Sequence, residues 1–268
     1  MARANRHHIP GQVWHITHRC HKKEFLLKFA RDRRRWYHWL FEAKKRFGIR
    51  VLNYVVTSNH IHLLVQDSEQ EVIPGSIQLI AGRTGQEFNR RKVRKGAFWE
   101  DRYHATAVER GDHLIRCLVY IDLNMVRAGV VKHPAEWELN GYNEIQNPPA
   151  RYGVIDHLSL RQLCGYSDAA EFAQQHRGWV HEAIVEKRLN RESCWTESIA
   201  VGSRGFVEGI KARLGISAKG RDIGTESDGV YTLREESAPY NAGFAPGNEP
   251  LSTENAFFWP DCFAISDR

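Results

Sequence analysis

Two histidines separated by a single residue lie in the stretch TSNHIHLLVQD, residues 57–67, and their spacing can support metal chemistry. Successive side chains of a β-strand point to opposite faces, so His60 and His62 would share one face, with Cβ atoms about 7 Å apart. Histidine is the commonest metal ligand in proteins, and two imidazoles on one face could bind one ion together. The alternative is a half-buried strand whose two histidines are hydrogen-bonded and have no chemical role.

A second polar pattern lies in the stretch CLVYIDLNMVRAG, residues 117–129. We predict one helix over 112–128, ended by Gly129, because apolar residues recur there at steps of three and four. A polar stripe runs along the same helix, about 120° round from the apolar one. Its members are Arg116, Tyr120, Asn124 and Arg127. The alternative is a solvated helix face.

Together these patterns define a candidate active site for phosphoryl chemistry. The imidazoles of His60 and His62 and the side-chain oxygen of Asn124 would supply three ligands to a divalent ion. Such an ion keeps open positions and acts as a Lewis acid on a phosphoryl oxygen. Tyr120, one helical turn before Asn124, could then attack the phosphorus. A phenol has a pKa of about 10, so it needs a metal ion or a neighbouring cation to react as phenolate near neutral pH.

The charge distribution indicates that the first half of the chain binds a polyanion. Residues 1–150 carry 25 Lys and Arg against 15 Asp and Glu, a net of +10, whereas residues 151–268 carry 13 against 17, a net of −4. Such asymmetry favours a nucleic-acid partner, whose phosphates guanidinium and ammonium groups would bind. The cations that we predict to contact DNA are Arg33, Arg34, Lys44, Lys45, Arg116 and Arg127. The alternative for the basic run on the first helix is a solvated surface.

Hydropathy and cysteine usage exclude membrane and secreted classes. No run approaches the roughly 18 apolar residues of a membrane span, and the N-terminus lacks the apolar core of a secretory signal. The five cysteines form no CxxC pair, which indicates free thiols in a reducing compartment. We therefore expect a cytoplasmic protein that is associated with the nucleoid and has no membrane partner. The sequence leaves open whether it forms a homodimer.

The order of the predicted elements indicates an α+β fold. Strands are predicted at 13–20, 50–56, 60–66 and 97–108, and helices at 32–47 and 76–91. This order is typical of the ferredoxin-like split βαββαβ arrangement, an antiparallel sheet with two helices on one face. The added catalytic helix at 112–128 would then cover or border the other face, beside the two histidines.

Composition divides the chain into three predicted regions. Residues 1–150 form the catalytic domain, and residues 151–218 form a small C-terminal region of short helices. Beyond residue 218, Gly, Ser, Pro and acidic residues dominate without steady periodicity. That composition favours a polar, partly disordered tail over 219–268.

The chain resembles a known family, the single-tyrosine HUH transposases, in the version of the bacterial REP-associated tyrosine transposases. The two segments that carry the likeness are NHIHLLV and, about sixty residues later, YIDLNMVRAGVV. WHITHRC, FWEDRYHATAV and WTESIAVGSRGFVEGIKARLG are also similar to segments of that family. The likeness covers about residues 8–215.

The resemblance implies that His60, His62 and Asn124 bind a divalent ion, Mg²⁺ or Mn²⁺. It also implies that Tyr120 is the nucleophile in cutting and rejoining single-stranded or hairpin DNA at palindromic repeats, through a covalent 5′-phosphotyrosine. Met125 stands where the family usually has proline, and we expect it to let the helix continue. Two alternatives stay open: a non-cleaving DNA-binding module of the same fold, and a metal hydrolase that uses water as the nucleophile.

Overall fold

The first strands and helices follow the predicted β-α-β-β-α-β order. The computed structural model describes residues 9–227 and 229–235. The elements are β1 (Val13–Arg19), α1 (Ala30–Phe47), β2 (Arg50–Val56), β3 (His60–Gln66), α2 (Val72–Lys92) and β4 (His104–Val108). The four strands lie in the order β2-β3-β1-β4, and each neighbouring pair is antiparallel. This order confirms the ferredoxin-like arrangement.

The helix α1 buries one stripe of side chains and ends at a glycine. Trp36, Leu40 and Ala43 are buried at steps of four and three, so one stripe of the helix faces the core. Gly48 follows with φ at 70°, a left-handed conformation that favours glycine, and its N–H donates to the carbonyl of Lys44. The charged residues of α1 lie largely off the buried stripe, as expected for an amphipathic helix.

Helices pack on both faces of the sheet. Asn53 and Tyr54 are neighbours on β2 and therefore point to opposite faces. The ring of Tyr54 lies 5.4 Å from that of Tyr37 on α1. Asn53 pairs with Leu64 of β3, and its side-chain amide donates to Asp122 of the helix α3 (Asp112–Asp122). Hence α1, with α2 packed against it, covers one face, and α3 covers the other.

The chain after α3 adds small helices and extends the sheet. The elements are α4 (Asn124–Arg127), α5 (Gly141–Gln146), α6 (His157–Leu163), α7 (Ala169–Val185), α8 (Cys194–Glu197), β5 (Ala200–Gly202), α9 (Arg204–Leu214), β6 (Arg221–Ser227) and β7 (Val230–Glu235). β5 pairs with β4 in parallel, and β7 and β6 follow, so the described sheet has the order β2-β3-β1-β4-β5-β7-β6. Side chains cap α7 and α9: Asp168 accepts from the N–H of Glu171, and Ser203 accepts from that of Phe206.

Several elements differ from their predicted bounds. Of the strand predicted over 97–108, β4 forms the regular part, and before it Trp99 pairs with Cys20 in a single isolated bridge. The Trp99 ring stacks on His18 with ring centroids 4.1 Å apart, and its indole N–H donates to the carbonyl of Ala81. Strands β6 and β7 lie inside the segment predicted as a tail over 219–268. They were missed because apolar residues are sparse in β6, where Ile223 is the main one. Residues 236–268 of that segment lie outside the described part of the chain.

No helix in the described ranges is long and apolar enough to cross a membrane.

Candidate functional site

The sheet register gathers four histidines on one face. Residues paired across neighbouring strands point to the same face. Thr17 of β1 pairs with His62 of β3 and with His104 of β4. His15 and His60 each lie two residues along a strand from one of these positions, so they share the face. The predicted His60–His62 pair therefore belongs to a larger imidazole cluster.

Both predicted ligand histidines are held through their Nδ1 atoms. Nδ1 of His60 lies 2.7 Å from Oδ1 of Asn59 and 3.0 Å from Oγ1 of Thr57. Nδ1 of His62 lies 2.8 Å from Nε2 of His15. The rings of His60 and His62 are 5.0 Å apart at their centroids, edge to face. The Nε2 atoms are thus the nitrogens that remain for a ligand in the cavity that both rings line.

Burial keeps both imidazoles uncharged. Desolvation lowers the pKa of His60 to about 4, and three nearby guanidinium groups add to the effect. Those groups belong to Arg19, Arg127 and Arg191. Burial also holds the pKa of His62 well below its ordinary value of 6.5, with His60 as the next contributor. A neutral imidazole has a lone pair to donate, which is the form that binds a metal ion.

The predicted helix over 112–128 is broken at Leu123, and Asn124 lies just after the break. α3 and α4 meet there, with Leu123 at φ −78° and ψ 4°. The prediction of one uninterrupted helix over 112–128 is therefore wrong, whereas α4 does continue through Met125 as expected. The side-chain nitrogen of Asn124 lies 2.9 Å from Nε2 of His62. The break does not separate Asn124 from the histidines.

Anchors on both sides of Leu123 account for the break. Before it, the buried carboxylate of Asp122 accepts from Nδ2 of Asn53 at 2.9 Å and from Nε2 of His176 at 2.7 Å. After the break, the side-chain nitrogen of Asn124 lies 2.9 Å from Nε2 of His62 on β3. These partners lie on β2, β3 and α7, so tertiary contacts override the helical preference of the local sequence.

Tyr120 lies in the same cavity, against aromatic rings and a cation. Its ring centroid is 6.0 Å from that of His62 and 6.2 Å from that of Trp195. The guanidinium carbon of Arg127 lies 4.0 Å from the ring centroid of Tyr120, and its Nη2 donates to the Tyr120 carbonyl. Burial raises the pKa of Tyr120, and the charge of Arg127 opposes that rise. Arg127 is therefore placed to stabilise a phenolate.

Competing tyrosines are less well placed. Tyr54 lies on the opposite face of the sheet, with its hydroxyl 3.4 Å from the carboxylate of Glu144. Burial, together with Tyr37 and Glu144, raises the pKa of Tyr54. Tyr103 is buried and does not line the cavity. Of these three candidate nucleophiles, Tyr120 is the one that shares the cavity with the histidines.

The cavity has a volume of about 730 Å³ and contains charged residues that sequence reasoning missed. These are Arg19, Glu100, Asp101, Arg102, Arg191 and Glu197. Arg19 belongs to WHITHRC, and the next three belong to FWEDRYHATAV, so a signal existed in the segments that resemble the transposases. Arg191 and Glu197 come from the C-terminal region, and their approach depends on the long-range fold.

Most of the predicted DNA contacts do not reach this cavity. Arg127 lines it, whereas Arg116 is half-exposed on α3, with its guanidinium 4.0 Å from the carboxylate of Glu192. Arg33, Arg34, Lys44 and Lys45 lie on α1, at the opposite face of the sheet. Among these, Arg34 pairs with Glu138, and Arg33 and Lys44 donate to backbone carbonyls. Contact of the α1 cations with DNA stays a prediction.

His60 and His62 fit a divalent ion if the side-chain oxygen of Asn124 serves as the third ligand. In the described ranges no cluster of three or more His, Cys, Asp or Glu side chains could hold a metal ion. Rotating the Asn124 amide by a half turn exchanges its oxygen and nitrogen, which places Oδ1 about where Nδ2 stands, 2.9 Å from Nε2 of His62. Two ligand atoms at right angles, each about 2.1 Å from an ion, lie about 3 Å apart. The spacing of these two groups therefore suits octahedral coordination.

Comparisons with known proteins find one family and two solved structures that this chain resembles. Residues 10–124 match the sequence model of the family described as "Transposase IS200 like". A solved REP-associated tyrosine transposase, bound to a REP hairpin, is 18% identical, with a TM-score of 0.46 over 57% of this chain and 90% of that chain. A protein assigned as a transposase from Deinococcus radiodurans R1 is 15% identical, with a TM-score of 0.32 over 48% of this chain and 92% of that chain.

A search among curated proteins finds no match. The matched segment contains both cavity histidines of β3, the tyrosine of α3 and the asparagine that follows it. The segment 10–124, which holds the candidate site, is therefore similar to the IS200-like transposases.

Proposed function

We propose that this protein cuts and rejoins single-stranded or hairpin DNA through a covalent bond between Tyr120 and a 5′ phosphate. The observation that carries the proposal is the convergence of Tyr120, His62 and Asn124 on one cavity, with the Asn124 amide 2.9 Å from Nε2 of His62. The likeness of NHIHLLV and YIDLNMVRAGVV to REP-associated tyrosine transposases supports palindromic repeats as the substrate.

The reaction would take two matched steps, with Tyr120 as the nucleophile of the first and the leaving group of the second. In the first, its Oη loses a proton and attacks the phosphorus, and the P–O3′ bond breaks. The leaving oxygen takes a proton and becomes a 3′-OH, while the 5′ phosphate stays esterified to Tyr120. In the second, a 3′-OH attacks the same phosphorus, which rejoins the strand and frees the tyrosine. The number of phosphoester bonds is conserved, so neither step needs a nucleotide cofactor.

A divalent ion, when bound, would supply Lewis-acid activation of the scissile phosphate. Nε2 of His60, Nε2 of His62 and Oδ1 of Asn124 would hold it. Two nitrogens and one oxygen suit Mn²⁺ well and Mg²⁺ adequately, because Mg²⁺ prefers oxygen ligands. We therefore expect Mn²⁺ to support cleavage at least as well as Mg²⁺.

The cations of the cavity favour a phosphate over other substrates. Arg19, Arg127 and Arg191 all lie close enough to His60 to disfavour its protonated form. The same positive potential attracts an anion, and guanidinium groups bind phosphate oxygens in a bidentate manner. Of these, Arg127 also lies over the ring of Tyr120. Arg127 can thus stabilise both the Tyr120 phenolate and the phosphate that the phenolate attacks.

The test is to incubate the protein with single-stranded hairpin oligonucleotides that have randomised flanks, with Mn²⁺ or Mg²⁺. We expect a protein–DNA species that survives denaturation, and excess EDTA should abolish it. His60→Ala and His62→Ala should lose the covalent species yet keep affinity for the hairpins, because both side chains are placed to bind the ion. The exposed His181→Ala is the matched control and should behave like the wild type. Undiminished cleavage in EDTA would contradict the metal assignment.

A further inference from the structure

His15 lies fully buried between the backbone of the C-terminal region and the predicted metal ligand His62. Its Nδ1 lies 2.9 Å from the carbonyl oxygen of Trp195, and its Nε2 lies 2.8 Å from Nδ1 of His62. The two imidazoles are stacked, with centroids 5.0 Å apart and planes 12° from parallel. Three groups on three elements, α8, β1 and β3, thus form one chain of hydrogen bonds that ends in the cavity.

The hydrogen bonds that link His62, His15 and Trp195 can donate in one direction only. A carbonyl oxygen accepts and cannot donate, so Nδ1 of His15 must carry a hydrogen. His15 is fully buried, and both of its hydrogen-bond partners are uncharged groups, so the ring is neutral and its Nε2 has only a lone pair. Nδ1 of His62 must therefore donate to His15. His62 is buried as well, and a neutral ring that carries its hydrogen on Nδ1 has a lone pair on Nε2.

We propose that His15 is a positioning residue that fixes His62 in the Nδ1–H tautomer and so aims the Nε2 lone pair of His62 into the cavity. The consequence for metal binding rests on the proposed function, whereas the tautomer itself does not. Partners that fix the tautomer of a ligating histidine typically change metal affinity by 10- to 100-fold when they are removed.

Two further contacts fit this arrangement. The side-chain nitrogen of Asn124 lies 2.9 Å from Nε2 of His62, a contact that a lone pair on Nε2 satisfies and a hydrogen on Nε2 would oppose. Oγ1 of Thr106 also lies 3.2 Å from the carbonyl of Trp195 and holds that acceptor in place from β4. This series of hydrogen bonds starts at the carbonyl of Trp195, outside residues 10–124, the segment that matches the transposase family. The C-terminal region would therefore contribute to the site through its backbone.

A matched pair of variants separates this role from simple packing. In His15→Gln, the side-chain amide reaches the place of Nε2 and can still accept from His62. In His15→Asn, the shorter amide can still donate to Trp195 but does not reach His62. Both substitutions bury an amide of similar chemistry, so a purely structural role predicts similar effects from both. Thermal unfolding would show that both variants fold.

Two measurements test the proposal. Long-range ¹H–¹⁵N spectra of the metal-free protein report the tautomer of His62. The His62 signals are assigned as those that disappear in His62→Ala. We expect Nδ1–H in the wild type and in His15→Gln, and a shift toward Nε2–H in His15→Asn. Mn²⁺ affinity, measured from the EPR signal of free Mn²⁺, should fall about 10- to 100-fold in His15→Asn and stay close to the wild-type value in His15→Gln.

An Nε2–H tautomer in the wild type, or an unchanged tautomer in His15→Asn, would overturn the proposal. Equal losses of Mn²⁺ affinity in the two variants would also overturn it, since they would indicate packing alone. The tautomer is read without metal, DNA or cleavage. A wild-type protein that shows the Nδ1–H tautomer but binds no Mn²⁺ would thus refute the proposed function and the metal-binding consequence, and would leave the positioning of His62 standing.

Discussion

At the residue scale, the site could be predicted where local geometry alone sets the spacing. His60 and His62 share a face because strand side chains alternate, and Tyr120 and Asn124 lie four residues apart in a predicted helix. His15 could not be assigned in this way. It meets His62 across 47 residues of sequence, and only the pairing of β1 with β3 brings the two rings together.

Acid should destabilise the folded protein because it contains buried, neutral histidines. Burial lowers the pKa of His15 to about 3 and that of His18 to about 4. In the unfolded chain each would bind a proton near pH 6.5. Below that pH the unfolded state therefore binds more protons than the folded state, so stability is retained above pH 6.5 and lost as the pH falls toward 4.

The two histidines together should lower the free energy of unfolding by about 3 kcal/mol per pH unit over the middle of that range. Urea denaturation at about pH 7 and about pH 5 measures the change. His15→Gln removes one of these groups and should reduce the slope by about 1.4 kcal/mol per pH unit, while His60 and His62, which are also buried and neutral, add to the slope in both proteins. Equal stability at both pH values would show that these imidazoles are protonated in the folded protein.

At the element scale, the path of the candidate catalytic segment, residues 112–128, depends on contacts that the sequence does not reveal. Periodicity predicts one helix over 112–128, and α3 and α4 do occupy that range. The interruption at Leu123 follows from the anchoring of Asp122 by β2 and α7, which lie far away in sequence. The position of Tyr120, two residues earlier, therefore depends in part on the C-terminal helix α7.

Removing the α7 anchor should destabilise the fold. His176→Leu leaves the buried carboxylate of Asp122 with Asn53 as its remaining side-chain partner, and we expect a loss of about 3 kcal/mol. His181→Leu, on the exposed side of the same helix, should change stability by less than about 0.5 kcal/mol. Urea denaturation compares the two variants, and similar losses in both would rule out a specific role for the Asp122–His176 contact.

At the scale of the whole molecule, the sequence predicted the split βαββαβ core but not the extension of its sheet. β4 continues into β5, β7 and β6, which come from residues 200–235. Strong apolar alternation, the usual signal, is missing from β6. The Asp228-Gly229 pair was the available sign of a hairpin turn. Long-range pairing of a short polar strand is the part of a fold that local patterns reveal least.

The charge of the first half of the chain predicts salt-dependent binding of DNA. Residues 1–150 carry a net charge of +10, so log affinity for single strands should fall linearly with log salt, by about 0.7 per neutralised phosphate. Arg191→Ala, in the cavity, should reduce that slope by about one phosphate. Lys45→Ala tests the predicted contact on α1 and should do the same. Affinity that is independent of salt in the wild type would contradict the electrostatic account.

The measurement that tests the central claim most directly is to identify the residue joined to DNA. Protease digestion and mass spectrometry of the trapped species should find the nucleotide on Tyr120. Tyr120→Phe removes one oxygen and should abolish both cleavage and the adduct while affinity for hairpin DNA stays nearly unchanged. Tyr54→Phe and Tyr103→Phe should still form the adduct. An adduct on either of those tyrosines, or a Tyr120→Phe variant that still cuts DNA, would contradict the account.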